Sequence, residues 1–112
     1  MPKYFPETKE ELQALVKDES IYLGDIDTSK ITDMSELFKN STREDFSGIE
    51  KWDVSNATNM RAMFENCTSF NQDISAWDVS SVKNMEDMFE NCPIDNSNIP
   101  SQEQSSIKRN KL

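Results

Sequence analysis

Residues 52–76 read WDVSNATNMRAMFENCTSFNQDISA, and residues 77–101 read WDVSSVKNMEDMFENCPIDNSNIPS. At a shift of 25 the two stretches agree at 13 of 25 positions, among them Trp52/Trp77, Asp53/Asp78, Met60/Met85, Phe64/Phe89, Asn66/Asn91 and Cys67/Cys92. A period of this length means a repeat architecture: one unit is too small to bury its own apolar face and must share a core with its neighbours. A more divergent copy precedes them at a shift of 26. There Ile26-Asp27-Thr28-Ser29 stands where Trp52-Asp53-Val54-Ser55 stands, and Met34, Leu37, Phe38 and Asn40 match Met60, Met63, Phe64 and Asn66. The chain of 112 residues, one small domain in length, thus divides into an N-terminal cap (1–20), three units (21–100) and a polar C-terminal tail (101–112).

Within a unit the apolar spacing changes character. Met60, Met63, Phe64 and Cys67 fall at i, i+3, i+4 and i+7, the stripe of an amphipathic helix, and the stripe recurs as Met34/Leu37/Phe38 and Met85/Met88/Phe89/Cys92. Ile74, Trp77 and Val79 lie in short β-rich runs that predict one brief strand per unit, and Leu23, Ile49, Ile74 and Ile99 recur as a column three residues before each Trp position. Together these predict an α/β fold: a short leucine-rich-repeat-like solenoid of three strand–helix coils. Thr8-Lys9-Glu10-Glu11, followed by Leu12, Leu15 and Val16, reads as a capping box opening a helix that covers the first unit.

Composition narrows the function. Lys and Arg number 12 against 21 Asp and Glu, a formal charge of -9 and a pI near 4.4. Nucleic acid and anionic lipid both demand a basic surface, so neither is an expected partner. The chain contains no histidine, which removes Ser-His-Asp and Cys-His pairs and the usual zinc sets. It has two glycines, Gly24 and Gly48, hence no P-loop and no GxGxxG, and it has no CxxC. No enzymatic activity, cofactor or metal is expected. The longest apolar run is a handful of residues, and the opening Met-Pro-Lys-Tyr-Phe-Pro lacks the apolar stretch of a signal peptide, so membrane insertion is not expected and the chain as written reads as cytoplasmic. Mean hydropathy is -0.77, yet two Trp and six Phe argue against disorder.

Three polar or aromatic columns are candidate functional residues. Asp27, Asp53 and Asp78 share one register: either an acidic ladder for a basic partner or cation, or carboxylates that each bond a turn locally. Trp52 and Trp77 are either core or a stacking platform on a contact face. Asn40, Asn66 and Asn91 directly follow the helical stripe and are expected as a structural ladder pairing buried backbone groups. Cys67 and Cys92 occupy one register on successive units. Helices packed side by side lie about 8–10 Å apart, whereas a disulfide needs Cα atoms within about 7 Å, so two reduced core cysteines are expected.

The string WDVSNATNMRAMFENCTSFNQDISAWDVSSVKNMEDMFENC resembles the 25 to 26 residue repeat of the BspA-type leucine-rich-repeat surface proteins of bacteria, over residues 21–99. The opening stretch with Glu11, Leu12, Ile21 and Leu23 is similar to the lead-in such proteins carry before the first repeat. The resemblance implies a leucine-rich-repeat-like solenoid without enzymatic function and, in some members, binding of host extracellular proteins or cells from the bacterial surface. The expected function is therefore a non-catalytic protein-interaction module with Asp27, Asp53, Asp78, Trp52 and Trp77 on its contact face, monomeric or weakly dimeric. The alternative is an acidic intracellular inhibitor or immunity-type partner of a basic protein.

Overall fold

The computed structural model describes residues 2–100. The one α-helix among the described residues, α1 (Lys9–Lys17), begins at the capping box: the Thr8 hydroxyl accepts from the Glu11 N–H at 3.1 Å, and the Glu11 carboxylate accepts from the Thr8 N–H at 3.1 Å. Leu12 and Val16 turn inward and are buried. One-turn 3₁₀ helices follow at Leu23–Asp25, Ile49–Lys51 and Asn96–Asn98. The remaining regular pairing consists of isolated parallel bridges, Tyr4 with Ile26, Asp33 with Asn59 and Asn59 with Asn84.

The expected α/β solenoid of strand–helix coils is therefore wrong. Among the described residues no repeat unit contains an α-helix and no sheet forms. What carries the Met-x-x-Met-Phe stripe is a run of tight turns. Glu36 and Asn40 have φ of 59° and 60°, Ala62 and Asn66 of 56° and 57°, and Asp87 and Asn91 of 59° and 55°. A left-handed residue every fourth position cannot belong to an α-helix. It does suit the third position of type II turns, where φ must be positive and where Asn is tolerated.

The backbone accounting of residues 60–67 shows why the run is stable. Met63, Glu65 and Cys67 donate to the carbonyls three residues earlier, Met60, Ala62 and Phe64, at 3.1–3.2 Å. The alternate donors Met60, Ala62, Phe64 and Asn66 reach across to Asn84, Glu86, Met88 and Glu90 of the next unit at 2.8–2.9 Å, and Arg61 donates to the side-chain oxygen of Asn59. Every N–H in the run is paired. The first unit repeats the scheme, with Met34, Glu36, Phe38 and Asn40 donating to Asn59, Arg61, Met63 and Glu65.

Direct bonding between units sets the pitch of the stack. Parallel backbones bonded edge to edge lie about 5 Å apart, far closer than packed helices. Accordingly Phe38 and Phe64 stack with ring centroids 5.4 Å apart, Phe64 and Phe89 at 5.7 Å, and Trp52 and Trp77 at 6.5 Å, all within 5° of parallel. Leu23, Ile49 and Ile74 are completely buried, and this core runs from Leu12 of α1 to Met88.

Candidate functional site

Asp27, Asp53 and Asp78 each sit two residues before a serine. Their Oδ1 atoms accept the backbone N–H of Ser29, Ser55 and Ser80, each at 3.0 Å, and Asp53 also accepts the Ser55 hydroxyl at 2.6 Å. These are Asx turns, the local reading of the column. The Ser29 hydroxyl, then the Ser29 N–H, holds the Asp27 carboxyl below the ordinary range, and Ser80 does the same for Asp78. Asp53 and Asp78 are exposed and Asp27 is half-buried. The column is therefore both a set of turn locks and a row of carboxylates repeated at the pitch of the stack.

Trp52 and Trp77 do not join that row. Each is 4% exposed, and its indole N–H is spent on the carbonyl one unit back, Trp52 on Leu23 at 2.8 Å and Trp77 on Ile49 at 3.1 Å. Both rings belong to the core, so their placement on a contact face is corrected. Asn40, Asn66 and Asn91 do form a ladder, in a different way from the one expected. Their side chains bond each other, Asn66 Nδ2 to Asn40 Oδ1 at 2.8 Å and Asn91 Nδ2 to Asn66 Oδ1 at 2.9 Å, rather than serving buried backbone.

Cys67 and Cys92 are free. Their units are joined by backbone bonds, not by helix packing, so the spacing of about 8–10 Å between packed helices does not apply to them. Cys67 is fully buried, and burial, reinforced by the neighbouring Cys92, pushes its thiol up to about 12; burial also raises Cys92. Neither thiol has the low pKa of a nucleophile. Among the described residues no group of three His, Cys, Asp or Glu is placed to hold a metal ion, and no helix is long and apolar enough to cross a membrane.

Two features escaped the sequence reading. Arg43 is 4% exposed and binds backbone oxygens alone: Nη1 donates to Val16 at 3.0 Å and Asp18 at 3.3 Å, Nη2 to Ile21, and Nε to Asp45 at 2.9 Å. One side chain thus ties the end of α1 to the first repeat, and a lone Arg in sequence carries no signal of this. The other feature was legible. The triplet Asp-X-Ser also begins at Asp18, Asp33, Asp45, Asp73 and Asp95, and in the first four the Asp Oδ1 accepts the Ser N–H at 2.9–3.0 Å. Much of the acidity is thereby committed to turns.

Beside the column lies a groove of about 460 Å³ bordered by Tyr22, Asp25, Asp27, Lys51 and Asp53. The Tyr22 ring beside it explains both glycines. A Cβ on Gly24 would stand 2.5 Å from the Tyr22 ring, and one on Gly48, whose φ is +94°, would stand 2.4 Å from the Gly24 nitrogen. The Lys51 ammonium rests 5.6 Å from the centre of the Tyr22 ring. A second charged file runs across the turns, Glu36–Arg61–Glu86, with contacts of 3.6 and 3.5 Å.

No curated protein and no solved structure matches the sequence significantly. A protein family does, over nearly the whole chain, and it supports a repeat protein of bacterial type without specifying the leucine-rich-repeat kind. With residues 3–111 matched, the chain belongs to the family described as Mycoplasma protein of unknown function, DUF285.

Proposed function

We propose that the chain is a non-catalytic protein-interaction module of the bacterial surface-repeat kind, engaging a basic patch of a host extracellular protein through the Asp27/Asp53/Asp78 column. One observation carries the reading: inter-unit backbone bonds hold these carboxylates in register on a stack whose rings repeat every 5.4–6.5 Å. A row of like charges at that pitch attracts a row of cations and steers their approach. A face of three units offers about 800 Å² or less, so binding is weak singly and gains from multivalency.

The test removes charge and keeps the turns. Asn59 and Asn84 stand in register with Asp33 and accept the N–H two residues on, Arg61 and Glu86, as Asp33 accepts that of Ser35. Asn therefore replaces Asp in an Asx turn within this fold. Wild type and the triple variant D27N/D53N/D78N are passed over purified host extracellular-matrix proteins in a surface-plasmon-resonance panel. The expected result is salt-sensitive wild-type binding that falls at least tenfold in the triple variant. Equal binding by the variant, or no binding by either chain, overturns the reading.

A further inference from the structure

Over the described residues the first and third units present unlike edges. Because the turn runs direct their alternate N–H groups towards the following unit and their alternate carbonyls towards the preceding one, each unit has a donor edge and an acceptor edge. On the third unit the donors equivalent to Met60, Ala62, Phe64 and Asn66 are Met85, Asp87, Phe89 and Asn91, and their N–H groups meet no acceptor among the described residues. The side chains tell the same story. Met60, Phe64 and Cys67 are fully buried, while Met85, Phe89 and Cys92 are only half-buried. Phe64 is stacked by Phe38 on one side and Phe89 on the other, whereas Phe89 has a ring contact with Phe64 alone among the described residues. Asn91 donates to Asn66, and among the described residues its own Oδ1 has no bonded amide of the kind Asn40 and Asn66 receive.

We infer that this edge is a docking surface for an extended segment of the same repeat type supplied by another polypeptide, independently of the acidic column. The edge itself selects the occupant. A donor-only edge cannot pair with an identical edge, which excludes a symmetric end-to-end dimer of this chain through these groups. The complementary acceptor edge on the first unit is flanked by α1, whose Lys9 bonds Ser35 at 2.8 Å and pairs with Asp33 at 3.7 Å, so head-to-tail stacking of copies is obstructed. The fitting partner offers four alternate carbonyls, an aromatic ring in register with Phe89 and an Asn in register with Asn91. Opposite Glu86 it carries a basic residue, as Arg61 does within the stack at 3.5 Å.

The probe is a fluorescein-labelled synthetic peptide, NATNMRAMFENCTSF, identical to residues 56–70, titrated with the full chain. Saturable one-to-one binding is expected, with hydrogen-exchange protection appearing at the amides of Met85, Asp87, Phe89 and Asn91. The peptide carrying the Phe64→Ala change, which removes the ring in register with Phe89, should bind at least tenfold more weakly. A peptide with Glu for Arg should lose about threefold, regained with the E86R chain, as befits an exposed ion pair. Variation in the peptide leaves the folded chain untouched, and a scrambled peptide serves as control. Absence of binding, equal binding of the scrambled peptide, or protection of the four amides before any peptide is added would each overturn the inference.

Discussion

Asn66 donates from Nδ2 to the Oδ1 of Asn40 at 2.8 Å, and both residues hold a positive φ, 57° and 60°. One residue type thus does two jobs: it tolerates the left-handed backbone that the turn requires, and it links the turn to its neighbour. Other side chains accept that backbone at a cost of about 1–2 kcal/mol, and only Gly escapes it. The two jobs can be separated by substitution.

Asn66→Ala should lose both, destabilising the chain by about 2 kcal/mol, while Asn66→Gly should lose the ladder and keep the turn, costing about half as much. Urea unfolding followed by tryptophan fluorescence measures the difference. If Gly proves as damaging as Ala, the left-handed backbone is not what selects Asn there.

The same residues show how much of the fold was legible in the sequence. The period, the capping box and the buried column of Leu23, Ile49 and Ile74 could all be read, because burial depends on spacing and composition. The helix could not be distinguished from the turn run. Met60, Met63 and Phe64 at i, i+3 and i+4 face one side in a helix, and successive turns bring the same residues to one side. What discriminates is φ, and its trace in the sequence is the Asn at 40, 66 and 91, a poor helix residue and a tolerated left-handed one. The site divides in the same way. The Asp column was visible as a register, but whether Trp52 and Trp77 faced out depended on which carbonyl their indoles could reach, a relation between units that spacing alone does not encode.

Asp53→Asn should be almost silent in stability, whereas Asp53→Ala should cost about 1 kcal/mol, because Ala removes the acceptor for the Ser55 N–H and Asn retains one. Paired thermal melts measure this. Equal losses for the two variants would mean that the carboxylate charge, not the turn, carries the contribution of Asp53.

Stability should fall at both ends of the pH scale and stay flat between them. Ser hydroxyl and N–H groups hold Asp18, Asp27, Asp45, Asp73 and Asp78 below the usual carboxylate range. A depressed folded pKa contributes stability above the unfolded value, about 3.9, and that contribution is lost as pH falls through the folded values. The cysteines act in the opposite sense. Cys67 is raised to about 12, so its contribution is whole below the ordinary thiol value of about 8.5 and shrinks as pH rises towards 12. With no histidine, nothing in the side chains should bend the profile between about pH 5 and 8. Chemical denaturation across the pH scale checks the shape. Cys67→Ala should flatten the alkaline limb and leave the acid limb unchanged, and an unaltered alkaline limb would refute the role given to the buried thiol.

Arg43 provides the sharpest stability test, since the cap and the stack meet on its guanidinium. Val16 lies in the last turn of α1, so a cation bonded to its carbonyl also opposes the negative end of the helix dipole. Burial draws the pKa of Arg43 down, while Glu19, Asp45 and Asp18 counter that effect, and a guanidinium keeps its charge under such conditions. Arg43→Met would leave the carbonyls of Val16, Ile21 and Asp45 without this donor, at a cost of about 3 kcal/mol or more. Arg43→Lys restores the charge without the fork. One ammonium cannot span oxygens that the guanidinium reaches from three nitrogens, so Lys should recover less than half of the loss. Urea denaturation gives the totals, and amide exchange in α1 shows whether the cap detaches before the stack. A fully stable R43K chain would show that charge alone joins the two parts; early exchange confined to α1 in R43M would show that the fork is what holds the cap in place.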